Sequence, residues 1–92
     1  MKRPAVPHLQ LRLYTGQQRF DRGAALGQIH DVLRSAPGSY ELQVLDGEEF
    51  RELAAEDEVA MTPMLVRIRP LPVVRLAMPL SSGEALRRAL LV

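Results

Sequence analysis

The stretch MTPMLVRIRPLPVVRLAM, residues 61–78, contains two alternating apolar runs, MLVRIR and VVRLAM, separated by Pro70-Leu71-Pro72. Alternation with a period of two is the pattern of a strand that buries one face, and Met64, Val66 and Ile68 fall on the same face. A proline-stiffened turn between two such runs reads as a β-hairpin. The fold then depends on the segments that flank this hairpin on either side.

Upstream, LQLRLYT (9–15) alternates strictly, with Leu9, Leu11 and Leu13 on one face and Gln10, Arg12 and Tyr14 on the other. That is a first strand. Asp21 reads as the cap of a helix whose stripe runs Ala25, Leu26, Ile29, Val32 and Leu33, with Pro37-Gly38 as its stop. Tyr40 to Leu45 alternates again, with Tyr40, Leu42 and Val44 on one face. Asp46, with Glu49 three residues on, reads as the start of a second helix. That helix is expected to bury Phe50, Leu53 and Ala54 and to expose Glu49, Arg51, Glu52, Glu56, Asp57 and Glu58. Downstream of the hairpin, Ser81 and Glu84 have capping-box spacing, and Ala85, Leu86, Ala89 and Leu90 form the stripe of a third helix.

The order βαβαββα predicts an α/β domain. A parallel pair joined by a helix is extended by the hairpin into a four-stranded mixed sheet with helices on both faces, the layout of a thioredoxin-like domain. In that layout a cis proline before the third strand is a recurrent device, and Thr62-Pro63 is expected to be cis. Ninety-two residues suit one domain, 1–92, with 1–8 as a flexible arm. The 47% apolar fraction supports a core that, with only 4% aromatics, is built from Leu, Val, Ile, Met and Ala.

A net charge of +1 disfavours a dedicated nucleic-acid binder. The absence of cysteine excludes disulfides, thiolate metal sites and dithiol redox chemistry. The start of the chain lacks the apolar core of a signal peptide, and no apolar run reaches the roughly 18 residues of a membrane span, so a cytoplasmic protein is expected. No catalytic constellation stands out, and no cofactor or metal is expected. His30 reads as a helix-flank residue, Ser81 and Ser82 as caps, and TGQQRFDRG lacks phosphate-loop spacing. Arg67, Arg69 and Arg75 read either as a basic stripe for an acidic partner or as a solvated strand face.

Residues 39–82 resemble the KaiB family of circadian-clock proteins. The resemblance is carried by Tyr40, Leu42, Val44, Leu45 and Asp46; by Leu53, Ala54, Glu56 and Asp57; by Thr62, Pro63 and Leu65; by Pro70, Pro72 and Val73; and by Leu80 and Ser81. LRLYTG (11–16) is similar to the family's first strand. The resemblance implies a non-enzymatic adaptor that binds the KaiC-type ATPase ring, with a KaiA-like protein as further partner. The related domain of the kinase SasA implies a second reading, a docking domain for a histidine kinase. A redox-inert thioredoxin-fold binding protein is a third reading, and a thioredoxin-fold enzyme with a non-thiol activity, for example one that binds a small thiol cofactor beside Pro63, is a fourth, disfavoured by the absence of cysteine and of a pocket-forming acid or base.

The family also implies an alternative, tetrameric fold with a rebuilt C-terminal half. Switching relatives carry Gly-x-Asp where this chain has Ala89-Leu90-Leu91, so Ala89 and Leu91 are expected to favour a helical, thioredoxin-like, monomeric state. The implied partner-binding residues are Glu41 and Gln43 on the second strand, Glu49, Glu52 and Glu58 around the second helix, and Arg67. Relatives have lysine at the positions of Gln43, Glu58 and Arg67, so only Arg67 keeps the charge.

Overall fold

The computed structural model describes residues 8–16, 19–36 and 38–91. Of the arm expected at 1–8 only His8 falls among them, and Pro37, read as part of a helix stop, also lies outside. The elements are β1 (Leu9–Thr15), α1 (Arg19–Arg34), β2 (Tyr40–Asp46), α2 (Arg51–Glu56), β3 (Met64–Arg69), β4 (Val74–Ala77) and α3 (Gly83–Leu91). The strands form one mixed sheet in the order β2-β1-β3-β4, with β1 parallel to β2 and antiparallel to β3.

Because β1 is central, its alternation sorts side chains between two covered faces. Leu9, Leu11 and Leu13 join Leu65 of β3 with Ala25, Ile29, Val32 and Leu33 of α1 and Leu86 and Leu90 of α3 in one core. Each fully buried leucine in it contributes about 2 kcal/mol of transfer free energy. On the opposite face Tyr14, Met64 and Val66 pack with Ala54 of α2, and Ile68 lies against them. One face thus carries α1 and α3 and the other α2, which is the thioredoxin-like arrangement. The Thr62–Pro63 bond is cis, as are Arg69–Pro70, Leu71–Pro72 and Met78–Pro79.

Several local readings are corrected. α1 begins at Arg19, so Asp21 lies inside its first turn and not at its cap. Asp46 does cap, but it caps a turn that precedes α2: its Oδ1 accepts from the amides of Glu48 and Glu49, at 2.8 and 3.1 Å, and its carbonyl accepts from Phe50. α2 therefore starts at Arg51, and Phe50, expected in the core, is 39% exposed. The cap of α3 is Ser82, whose Oγ accepts from the amide of Ala85 at 3.1 Å, and Glu84 pairs with Arg88 one turn on. Ala85, Leu86, Ala89 and Leu90 are the covered side of α3, as their spacing requires.

Candidate protein-interaction surface

Two elements, β2 and α2, have little cover, and Glu41, Gln43 and Leu45 of β2 share the face of the sheet on which α2 packs. β2 is an edge strand, so one of its two backbone edges has no strand partner in the sheet. Its side chains are mostly exposed, with Tyr40 at 48% and Val44 at 37%, and only Leu42 and Leu45 pack against the cores. α2, only six residues long, presents Arg51, Glu52, Ala55 and Glu56 to solvent and covers the sheet through Leu53 and Ala54. So short a helix has little intrinsic stability and must be held by tertiary contacts.

The holding device is a polar network that sequence reasoning does not reach. Asp57, at the C-cap of α2, accepts from Arg12 Nη1 on both carboxylate oxygens, at 3.1 and 2.9 Å, and also from the Tyr14 hydroxyl. Arg12 Nε reaches Gln43 Oε1 on β2 at 3.3 Å. From the other side, Arg75 of β4 donates through Nε to the Asp57 carbonyl at 2.6 Å. Hydrogen bonding to Asp57 raises the Arg12 pKa above its ordinary value. Burial, followed by the bond to Asp57, pushes the Tyr14 phenol up to about 12, so it remains a donor at physiological pH. Asp57 is consequently a structural residue and not part of the exposed acidic face. The spacing of Arg12 and Tyr14 on the face of β1 away from its leucines is the one sequence signal, and its partner can be named only once the end of α2 is known.

The expected binding residues divide into two sets. Glu41, Glu49, Glu52 and Glu58 are exposed, as is Gln43, and all five belong to β2 or to the segment that leads into and out of α2. Glu58 adopts a left-handed backbone (φ 57) just past the helix, with its carboxylate 3.6 Å from Arg75. Arg67 does not join them. It pairs with Leu11 and Val74, lies under α3, is 4% exposed, and donates to the carbonyls of Leu90 and Pro72, both at 2.9 Å. Arg75 pairs with Val66 and so points to the opposite face, and the basic stripe of Arg67, Arg69 and Arg75 does not form.

Thr62 and Pro63 border a cleft of about 570 Å³ together with Thr15, Gly16, Gly47 and Met61. Gly16 leaves no room for a side chain, since a Cβ there would lie 2.6 Å from Thr62 Oγ1, and Gly47 is tightly set against the same residue, its Cβ position 3.2 Å from Thr62 Cγ2. The charged residues of its lining are Arg22 and Glu48. His8 and His30 are exposed, and neither lines this cleft. Among the described residues no group of three His, Cys, Asp or Glu side chains could hold a metal ion, and no helix is long and apolar enough to cross a membrane.

Comparison with known proteins agrees with this geometry. A family model described as the KaiB domain matches residues 12–91. The circadian clock oscillator protein KaiB of Prochlorococcus marinus (strain MIT 9211) is 36% identical over 75 residues, 80% of this chain and 66% of that one. Its counterpart in Synechococcus elongatus is 35% identical over 75 residues, 80% of this chain and 74% of that one. The chain thus spans about two thirds of the length of these relatives. The solution structure of the N-terminal domain of Synechococcus elongatus SasA superposes with a TM-score of 0.73 over 96% of this chain and 84% of that one, at 19% identity. The family model covers most of the sequence, and the chain belongs to the KaiB family.

Proposed function

We propose that this chain is a protein-interaction module without catalytic activity of its own, which docks on a KaiC-type ATPase ring through the α2 face and the free edge of β2. The observation that carries this reading is the anchoring of α2. Arg12, Tyr14 and Arg75 all converge on Asp57, so a helix too short to persist alone is held firmly while its outer side chains stay free. Firm presentation lowers the entropy cost of docking. The family match supports the same reading, since the relatives it names are clock oscillator proteins. The absence of cysteine removes the thiol chemistry that the thioredoxin-like frame otherwise serves.

The test is a fluorescence-anisotropy titration of the labelled chain against the KaiC-type ATPase encoded in the same genome, with a KaiA-like protein and a histidine kinase as parallel ligands. Binding to the ATPase at micromolar concentration is expected. No binding up to about 50 μM, where a specific contact would have a free energy beyond about −6 kcal/mol, refutes the reading.

A further inference from the structure

The near-neutral net charge conceals a division. Residues 41–58 hold eight carboxylates against one arginine, and the rest of the chain holds eleven basic residues against three acids. This acidic segment runs through β2, the turn after it and α2, and its Glu49, Glu52 and Glu56 line one concavity on the α2 face. Asp57 is taken by Arg12, and Glu58 is near Arg75. Among the described residues no ion pair engages Glu41, Glu48, Glu49, Glu52 or Glu56, all of which are exposed.

Phe50 stands among these carboxylates with its side chain outside both core clusters. It occupies the N-cap position of α2, where Ser, Thr, Asp or Asn would bond the helix amides, and it makes no side-chain cap. It is 39% exposed. With half-buried Leu53 it lines a shallow concavity of about 560 Å³ whose other walls are Glu49, Arg51, Glu52 and Glu56. An aromatic centre ringed by three carboxylates outside any ion pair among the described residues, against the single Arg51, has the layout of an interface hot spot inside a polar rim.

We infer that the α2 face receives a basic protein surface, with Phe50 inserting into an apolar socket on the partner and Glu49, Glu52 and Glu56 meeting arginine or lysine around it. This rests on the proposed docking through α2 and adds the chemistry of what docks there. Charge complementarity selects the partner: an acidic or neutral surface would leave these carboxylates unpaired or opposed, whereas a basic one is steered on and satisfied.

The experiment is an NMR titration of the isotope-labelled chain with a synthetic amphipathic peptide, one face leucine and its flanks arginine, at about 25 mM and about 250 mM salt. Shifts confined to Phe50, Leu53, Glu52 and Glu56 are expected, with affinity falling roughly tenfold or more at the higher salt. Phe50→Ser should lose most of the affinity, the triple variant Glu49→Lys, Glu52→Lys, Glu56→Lys should lose it entirely, and Glu84→Lys on α3 should bind as the parent does. Shifts scattered over the surface, none up to about 1 mM, or equal binding by Phe50→Ser would overturn the inference. Anisotropy with the ATPase ring keeps the two readings apart. A ring that binds the parent and the triple variant alike sinks only the basic-partner inference, and a ring that ignores the parent while the peptide binds at Phe50 sinks only the proposed function.

Discussion

Arg12 and Asp57 lie 45 residues apart in sequence, and a bond of 2.9 Å between them joins the central strand to the last turn of α2. The pair is mostly covered, with side-chain exposures of 26% and 12%. Breaking a fully buried pair costs about 3–5 kcal/mol because the orphaned charge stays behind, and partial exposure reduces this to about 2–3 kcal/mol. Asp57→Ala is therefore expected to lower the urea-unfolding free energy by that amount. Arg12→Met combined with Asp57→Leu should cost less than the sum of the two single changes. Additive losses would mean that the pair is not coupled.

The Tyr14 hydroxyl bonds the same carboxylate, and its pKa is raised from 10.0 to about 12 by burial and that bond. A phenol whose folded pKa exceeds its unfolded value contributes stability that is complete below pH 10 and is lost as pH rises through about 12. Over that window the parent should lose on the order of 2 kcal/mol that Tyr14→Phe does not lose. Urea midpoints of both chains from pH 9 to pH 12 check this, and parallel curves would refute it.

The alternation of β1, the stripes of α1 and α3, and the hairpin at 64–77 are legible in the sequence because each arises from local periodicity. What periodicity cannot supply is parity across a turn. Arg67 and Arg75 look like neighbours on one face, but the pairing of Arg67 with Val74 and of Val66 with Arg75 puts them on opposite faces. The regular register that runs from Tyr14–Met64 to Leu11–Arg67 likewise sets Arg67 opposite Leu11, beneath α3. Asp57 falls on the acidic surface only if the helix runs past it. The helix ends at Glu56, which makes Asp57 its C-cap, where Arg12 reaches it. The exposed carboxylates are readable individually, whereas the network that fixes their scaffold is long-range at every bond.

Arg67 acts as a clamp on the last helix. Its guanidinium joins the carbonyl of Leu90, near the end of α3, to that of Pro72 in the β3–β4 turn, while Nε has no partner among the described residues. Arg67→Met keeps most of the volume and removes both donors, and should destabilise the chain by about 1–3 kcal/mol. Hydrogen exchange should quicken most at the end of α3 and around Pro72. Arg67→Lys, a point charge without the planar fork, should be intermediate. Uniform acceleration across the sheet would show that the residue supports global stability only.

Ala89 and Leu91 are expected to decide how firmly α3 stays helical. Both are half-buried, and Leu91 packs against the core beside α1. Ala89→Gly costs about 1 kcal/mol of helix propensity, and aspartate at 91 adds about 0.5 kcal/mol. Loss of the Leu91 contact brings the total for Ala89→Gly with Leu91→Asp to about 2–3 kcal/mol. Against a total stability of about 5–10 kcal/mol for a domain this small, that is enough to bring an alternative packing of the C-terminal half into competition. The parent is expected to give helical NMR secondary shifts across Ser82 to Leu90 and to sediment as a monomer. The double variant should show weakened helical shifts over the same residues and a concentration-dependent mass. Strand shifts there in the parent, with a mass near four chains, would mean that these two side chains do not hold the thioredoxin-like state.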